Sequence, residues 1–375
     1  MPQSQLEKHY TSIQSNPAST NLDLLLASYD YELPTELIAQ NPVPDRDSSR
    51  LLVVDSPNSY THSIFRDLSK FLHPEDLLVL NNTRVIPARL YGRKPTGAMV
   101  EVLLLEEQQP NYWLALVKPG RRLPLGAKII FAGAVDVTAT VMAKDAATGG
   151  RWLQFELPEG INLLECLEKL GQMPLPPYIT ASQAEMSQYQ TVYAERPGAI
   201  AAPTAGLHFT PALLAELSAQ GIAQVTVTLH VGIGTFRPLE VADITTHQMH
   251  SEWIDVPITT VERIRETKAR GGRVIAVGTT VARSLEGAAI GGELESYTGK
   301  TDIFIYPGYQ SRVIDGLITN FHLPQSSLLM LVSALIGRQR LLNLYQEAIA
   351  QKYRFCSFGD AMLILPEARN REEDF

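Results

Sequence analysis

The chain has few cysteines and no long apolar run. Cys166 and Cys356 are the only cysteines in 375 residues, which excludes a disulfide framework and a cysteine-rich zinc site. No apolar stretch approaches the roughly 20 residues that span a bilayer. Residues 1–20 are polar and lack the apolar centre of a signal peptide. We therefore expect a cytoplasmic protein with no membrane partner and a disordered tail over residues 1–23.

Several motifs of nucleotide and nucleophile chemistry are also missing. The sequence has no G-x-x-x-x-G-K-[ST] loop, no G-x-G-x-x-G after a strand, no G-x-S-x-G elbow and no CxxC pair. These absences disfavour a P-loop enzyme, a Rossmann dehydrogenase and an α/β-hydrolase. The net charge of −8 argues against a generic polyanion binder, although a local basic patch can still contact nucleic acid.

The hydrophobic content of 45% is ordinary for a folded globular protein. Between Val85 and Leu157, short β-rich runs alternate with Gly, Pro and Asp turns, which predicts a small barrel or sandwich. Helices and strands alternate after it, which predicts an open, mostly parallel or mixed sheet with helices on both faces. We therefore expect an α/β fold. Its catalytic domain, residues 24–76 plus 159–375, is interrupted by a β-barrel domain at residues 77–158.

We expect the centre of the site at residues 225–236. Apolar residues alternate there with Thr and His230, which predicts a strand with one polar face. The strand leads into Gly232, Gly234 and Thr235, and glycines let the backbone approach a ligand closely. The alternative is a β-bulge and turn with a Thr-rich face in solvent.

Four further predicted strands end in glycines or polar residues: 200–202 before Thr204, Gly206 and His208; 274–277 before Gly278, Thr279, Thr280 and Arg283; 303–305 before Tyr306 and Gly308; and 317–319 before Asn320 and His322. Ligands of open α/β sheets bind at the carboxyl ends of the strands, so we expect all five ends to form one substrate crevice. A helix beginning after Gly278 could bind a carboxylate or phosphate through free N–H groups. Arg283 could clamp a carboxylate, or it could pair with Glu286.

His247, His250 and Glu252 could together seat zinc. The segment has no clear helix, however, and no third ligand is fixed by spacing, so we predict no metal. General base, hydrogen bonding to a substrate and loop packing remain the alternatives for these imidazoles.

The predicted barrel carries a local excess of basic residues: Arg84, Arg89, Arg93, Lys94, Lys118, Arg121, Arg122 and Lys128. This pattern favours phosphate binding, with a solvated charged surface as the alternative.

Eight runs of sequence carry a specific likeness: 31–34 (YELP), 81–89 (NNTRVIPAR), 202–209 (APTAGLHF), 229–236 (LHVGIGTF), 249–252 (MHSE), 274–280 (VIAVGTT), 319–324 (TNFHLP), and 353–355 (YRF) with 358–360 (FGD). They resemble the S-adenosylmethionine:tRNA ribosyltransferase-isomerases of queuosine biosynthesis, from about Leu24 to Leu365. Two departures are visible. The N-terminal tail is an addition, and the Thr280-Val-Ala-Arg283 run lacks the Ser of the more usual Thr-Ser-Val-Arg.

The resemblance implies an α/β domain interrupted by a β-barrel, in agreement with the pattern of short strands. It implies transfer and isomerisation of the ribosyl moiety of S-adenosylmethionine onto 7-aminomethyl-7-deazaguanine at the tRNA wobble position. The products are epoxyqueuosine-tRNA, adenine and methionine. S-Adenosylmethionine is then a co-substrate, with no permanently bound cofactor, and the partner is a tRNA with a queuosine-type anticodon. We expect a monomer.

This chemistry needs a base for a ribose C5′ proton and an acid for adenine. We expect these groups among His230, His208, His250 and His322. Replacing His230 by Ala should then lower turnover roughly 10²–10⁴-fold. Arg283 with Gly278, Thr279 and Thr280 is predicted to bind the methionine carboxylate. The residues predicted to face RNA are Asn81, Asn82, Arg84, Arg89, Arg93 and Lys94.

Three other functions remain open. A methyltransferase would yield S-adenosylhomocysteine instead of adenine and methionine. A non-catalytic RNA-binding module would bind tRNA independently of S-adenosylmethionine. A metal hydrolase would lose its activity with a chelator.

Overall fold

The computed structural model describes residues 21–133, 136–232, 234 and 239–370. Its helices are α1 (Leu163–Leu170), α2 (Pro211–Ala219), α3 (Ile258–Ala269), α4 (Thr279–Ala288), α5 (Ser327–Ile336) and α6 (Arg338–Ala350). Its strands are β1 (Arg50–Ser56), β2 (Ser59–Ile64), β3 (Leu77–Asn81), β4 (Thr83–Val85), β5 (Arg89–Arg93), β6 (Met99–Gln109), β7 (Tyr112–Lys118), β8 (Lys128–Phe131), β9 (Val137–Lys144), β10 (Arg151–Glu156), β11 (Arg196–Ala199), β12 (Ala223–His230), β13 (Glu252–Val256), β14 (Val274–Val277), β15 (Tyr297–Thr301), β16 (Gly316–Asn320) and β17 (Ala361–Ile364).

The main sheet is mixed, with nine strands in the order β15-β13-β12-β3-β14-β16-β17-β1-β2. The central strands β12, β3, β14 and β16 are parallel neighbours. Leu77 of β3 is in register with Ala223 on one side and Val274 on the other. The outer strands β13, β15 and β2 pair antiparallel. The predicted α/β architecture with a mixed sheet is confirmed.

Helices cover both faces of this sheet. Leu77 and Val79 of β3 belong to an apolar core shared with α3, α4, α5 and α6. Leu78 and Leu80 belong to a second core with α2 and the short 3-10 helix at Phe65–Lys70. Successive side chains of a strand point to opposite faces, so this alternation explains why β3 is buried on both sides.

The barrel is closed, and its six strands follow the order β10-β7-β6-β5-β8-β9 with antiparallel pairing. Its interior is a separate apolar core that includes Val100, Val102 and Leu153 and is covered by Leu163 and Leu167 of α1. The predicted inserted barrel is therefore present. Within the described residues, no helix is both long and apolar enough to span a bilayer.

Four sequence-based assignments need correction. The predicted barrel began at residue 77, but Leu77–Asn81 is a central strand of the main sheet, and the barrel strands begin at Arg89. Residues 303–305 are not a strand, because the chain leaves the sheet after Tyr297–Thr301; likewise residues 200–202 follow Arg196–Ala199 without being a strand. Most of the predicted disordered tail lies outside the described residues, and Leu22–Leu24 forms a 3-10 turn.

Candidate active site

A cavity of about 310 Å³ lies at the carboxyl ends of β14 and β16. Four of the five predicted strand ends meet there, through Thr204, Gly234, Gly278, Thr279, Thr280, Arg283, Asn320 and His322. Its other wall includes Tyr178 and Tyr189, which the sequence had not assigned to the site. The result is a mostly apolar crevice that also carries polar groups, which is the usual form of a small-molecule site.

Other residues predicted to bind substrate lie elsewhere. The Tyr306 ring packs on Phe304, with 5.0 Å between the ring centroids, and neither Tyr306 nor Gly308 lines the cavity. Gly206 is buried beneath Tyr193, whose hydroxyl oxygen would lie 2.1 Å from an added Cβ. Thr235 lies outside the described residues.

Two helix N-termini meet at the cavity. The backbone of Gly278 has a φ of 95°, which favours glycine, and no side chain caps the first turn of α4 after it. The start of α5 contributes Ser326, Ser327 and Leu328 to the same wall. The helix dipole favours an anion at each end, and the first turn of α4 has no side-chain cap, whereas the Ser326 hydroxyl caps α5 by accepting from the Leu329 N–H at 3.3 Å. The sequence analysis did not assign the start of α5 to the site.

A buried ion pair joins Arg283 to Glu252, whose side chains are 8% and 3% exposed. The Nε of Arg283 also donates to the Ile303 carbonyl at 3.3 Å, but its Nη2 has no partner among the described residues. The other carboxylate oxygen of Glu252 accepts from the Gly232 N–H at 3.1 Å. Arg283, which lines the cavity, is therefore held in place with one buried donor nitrogen that has no partner among the described residues.

The alternative pairing of Arg283 with Glu286 is wrong. The carboxylate of Glu286 is fully buried and accepts from the Tyr309 hydroxyl at 2.9 Å and from the Ser311 hydroxyl at 2.9 Å. It also accepts from the backbone N–H groups of residues 312–314. Glu286 thus ties the 309–314 loop to α4 and leaves Arg283 to Glu252.

A second cavity of about 350 Å³ adjoins the one described above, and the two share Gly234, Glu252 and Arg283. We call the 310 Å³ cavity the first lobe and the 350 Å³ cavity the second lobe. His247 and His250 line this lobe. Burial lowers the pKa of His247, with a smaller contribution from His250. Among the described residues, no three His, Cys, Asp or Glu side chains come together as metal ligands.

Two more predicted catalytic imidazoles belong to buried hydrogen-bond networks. The Nε2 of His322 lies 2.9 Å from the Thr319 hydroxyl, and His322 lines the first lobe. His208 lies behind the cavity, with Nδ1 2.7 Å from the Ser49 hydroxyl and Nε2 3.2 Å from the Asn320 amide nitrogen. Burial lowers the pKa of both imidazoles to about 3.

His230, one of the four histidines expected to supply the base or the acid, lies outside both lobes. Its Nδ1 is 2.8 Å from the Thr83 hydroxyl, and its ring stacks on Trp253 at 4.9 Å. Gly198 lies against the ring, where a Cβ would come within 2.6 Å of Nε2. Burial, and then the charge of Arg196, lower the pKa of His230 to about 4. These contacts indicate a structural role for His230.

The predicted RNA contacts of Asn81 and Asn82 are contradicted by their burial. The Asn81 amide accepts from the N–H groups of Thr83 and Leu229 and donates to the Leu229 carbonyl. The Asn82 amide bonds Glu195 and Thr228. Both amides therefore connect strands of the main domain.

The four basic residues predicted to contact RNA differ in whether a carboxylate neutralises their charge. Arg84 is exposed but pairs with Glu168 at 3.3 Å, and Arg89 pairs with Glu101 at 2.9 Å. Arg93 and Lys94 lie on the barrel and bond only backbone carbonyls, at Gly97 and Arg122. Among these four, Arg93 and Lys94 keep a charge that no carboxylate in the described residues neutralises.

The buried imidazoles predict that the protein loses stability on acidification. Unfolded histidine has a pKa near 6.5, whereas folded His208 and His322 have pKa values of about 3. The unfolded chain therefore binds more protons below pH 6.5, and stability that is complete above that pH is lost as the pH falls. Each such histidine costs up to about 1.4 kcal/mol per pH unit between 6.5 and its folded pKa.

Urea unfolding at pH 7 and pH 5 measures this effect. The His208→Gln variant should lose less free energy of unfolding between the two pH values than the parent protein. Equal losses in both proteins would contradict the assignment.

Comparisons with known proteins agree with this fold. The family model described as "Queuosine biosynthesis protein" matches residues 26–364. A relative from Nostoc sp., named S-adenosylmethionine:tRNA ribosyltransferase-isomerase, is 64% identical across 94% of this chain and 95% of its own length. A relative of the same name from Halothermothrix orenii is 53% identical across 90% of this chain and 98% of its own.

A solved structure is also similar. The crystal structure of the S-adenosylmethionine tRNA ribosyltransferase from Thermotoga maritima has a TM-score of 0.52 and 40% identity to this chain. The match covers 90% of this chain and all of that one (100%). The chain therefore belongs to the S-adenosylmethionine:tRNA ribosyltransferase-isomerase family of queuosine biosynthesis.

Proposed function

We propose that this protein transfers and isomerises the ribosyl moiety of S-adenosylmethionine onto 7-aminomethyl-7-deazaguanine at the wobble position of tRNA. The products are epoxyqueuosine-tRNA, adenine and methionine. Family membership supports the reaction. The observation that carries the site is the unused Arg283 Nη2 at a cavity where two helix N-termini meet.

The methionine carboxylate fits the first lobe best, at the starts of α4 and α5. Arg283 supplies a charged donor, and the Thr280 hydroxyl, also buried without a partner among the described residues, supplies a neutral one. Unpaired buried donors are costly, so a ligand that satisfies both gains affinity. Glu252 holds the guanidinium in place, and its own charge is neutralised by doing so.

The proton transfers follow from the sulfonium, which acidifies the adjacent ribose C5′ protons. A base removes one of them, O4′ leaves C4′ so that the ribose ring opens, and the carbonyl that forms at C1′ expels adenine, which takes a proton from an acid. The aminomethyl nitrogen then attacks the opened ribose, and methionine departs as the epoxide closes. We assign the base to His250, because it lines the second lobe next to the Glu252–Arg283 pair.

For tRNA, Arg93 and Lys94 on the barrel are the best-supported contacts. The Arg93→Ala, Lys94→Ala double variant should raise the KM for tRNA several-fold at low salt and make that KM less dependent on salt concentration, because fewer phosphate contacts release counterions. Stability should not change. Asn81→Ala is the matched contrast, because it should cost about 1–3 kcal/mol of stability by unpairing buried backbone groups. An unchanged tRNA KM in the basic double variant would remove these residues from the RNA surface.

Incubation with labelled S-adenosylmethionine and tRNA carrying 7-aminomethyl-7-deazaguanine, followed by nucleoside analysis, tests the reaction. We expect epoxyqueuosine in the tRNA, with free adenine and methionine. S-Adenosylhomocysteine as the product would instead indicate a methyltransferase. Binding of tRNA without turnover would indicate an RNA-binding module.

With tRNA as its substrate, the proposed place of action is the cytoplasm, and we propose that the active species is a monomer. Light scattering of the active protein tests the second point, since a dimeric mass would contradict it.

A further inference from the structure

A hydrogen-bonded chain runs from behind the cavity to its wall. The Ser49 hydroxyl lies 2.7 Å from Nδ1 of His208, and Nε2 of His208 lies 3.2 Å from Nδ2 of Asn320. Oδ1 of Asn320 in turn accepts from the Thr204 hydroxyl at 2.8 Å. Asn320 and Thr204 line the first lobe, whereas Ser49 and His208 do not.

The ring of His208 is held firmly in this chain. It stacks on Phe65 with 4.9 Å between the ring centroids, and it is 4% exposed. Arg354 and Arg46 are the charged groups that act on it, and both disfavour a protonated ring. The ring therefore stays neutral and accepts from Asn320 at Nε2, with its Nδ1–H directed at Ser49.

This acceptor fixes the orientation of the Asn320 amide. One N–H of Nδ2 is taken by His208, and Oδ1 is taken by Thr204. Nδ2 makes no other hydrogen bond in the described part of the chain, so its second N–H has no partner there, and Asn320 lines the lobe. An asparagine that lost the His208 contact could rotate and present its oxygen instead.

On the basis of the proposed function, we infer that Asn320 donates a hydrogen bond to a neutral acceptor atom of a substrate, and that His208 is its positioning residue. The aromatic side chains of Tyr178 and Tyr189, which line the same lobe, favour a heteroaromatic ring as the group that carries this acceptor. Adenine of S-adenosylmethionine and the deazaguanine of tRNA both offer such an atom. His208 then has no part in proton transfer, in contrast to its role expected from the sequence.

Two substitutions at position 208 separate positioning from packing. Glutamine places its side-chain oxygen near the position of Nε2, so His208→Gln should keep kcat/KM within about threefold. Leucine fills similar space without an acceptor. The kcat/KM of His208→Leu should therefore fall roughly ten- to a hundredfold, the range expected when a buried donor is left unpaired. The pH profile of kcat should stay unchanged in both variants, because the ring moves no proton.

A double-mutant cycle makes the coupling measurable. Asn320→Ala should lose about as much kcat/KM as His208→Leu, and the double variant should lose no more than Asn320→Ala alone. A purely structural His208 would give additive losses. If His208→Leu does not fold, Asn320→Asp serves in its place, because aspartate keeps the shape of the side chain but removes the donor. Its kcat/KM should fall as much as that of Asn320→Ala.

Calorimetric measurement of the binding of S-adenosylmethionine alone identifies which substrate ring carries the acceptor. Weaker binding in Asn320→Ala assigns the acceptor to S-adenosylmethionine, and a raised tRNA KM with unchanged binding assigns it to the deazaguanine. Normal kcat/KM in Asn320→Ala, additive losses in the cycle, or a lost limb of the pH profile in His208→Gln would each overturn the inference. A parent protein that releases no adenine would refute the proposed function instead.

Discussion

Replacing His250 with glutamine should lower kcat roughly 10²–10⁴-fold, the contribution expected of a positioned general base. The expectation follows from the second lobe, where His250 lies next to the Glu252–Arg283 pair and against Gly234. A Cβ on Gly234 would come within 2.7 Å of the His250 Cβ, so the glycine turn lets the chain approach this side chain. The KM for S-adenosylmethionine should change little, because the loss is in the transition state.

His230→Gln is the matched control for this prediction. His230 is also an imidazole at the end of the predicted site strand, but its ring is stacked on Trp253 and bonded to Thr83 outside both lobes. Its replacement should lower stability and leave kcat within about tenfold, well short of the loss expected of a general base. Near-normal kcat in His250→Gln together with a large loss in His230→Gln would reverse the assignment. Steady-state kinetics on the modified tRNA measures both.

Replacing Arg283 with glutamine should have two large effects. It removes a charge-assisted donor to the carboxylate, which weakens binding of S-adenosylmethionine by about 1.5–3 kcal/mol. It also leaves Glu252 buried without its partner, and breaking such a pair typically costs about 3–5 kcal/mol of stability. Isothermal titration calorimetry and urea unfolding measure the two effects separately.

The Arg283→Gln, Glu252→Gln double variant separates binding from stability. It removes both charges, so much of the lost stability should return, because replacing a buried pair by neutral groups is often nearly neutral. Affinity for S-adenosylmethionine should stay low. A double variant that binds S-adenosylmethionine normally would show that Arg283 does not contact the ligand.

The fold was predictable where local patterns dominate. The apolar runs of β3 and β14 and the capped helix α1, with Asn162 accepting from the Glu165 N–H at 3.0 Å, are visible in the sequence. The assignment of Leu77–Asn81 to the barrel failed because an apolar run does not reveal its partners. Only the register with β12 and β14 places it in the main sheet.

The site was predictable to the level of strand ends, but the roles of its histidines were not. A sequence shows that His208, His230, His250 and His322 follow strands or turns, but it does not show which face each one occupies. His230 is the last residue of β12, and pairing with β13 places its ring on Trp253 outside the cavity. The pairing of Arg283 with Glu252, 31 residues apart in the chain, likewise depends on tertiary structure.

A crystal structure of the protein with S-adenosylmethionine tests the central claim most directly. We predict that the methionine carboxylate lies within hydrogen-bond distance of Arg283 Nη2 and the N–H groups at the start of α4, with the ribose between the two lobes. A ligand bound outside these lobes, or one whose carboxylate points away from Arg283, would contradict it.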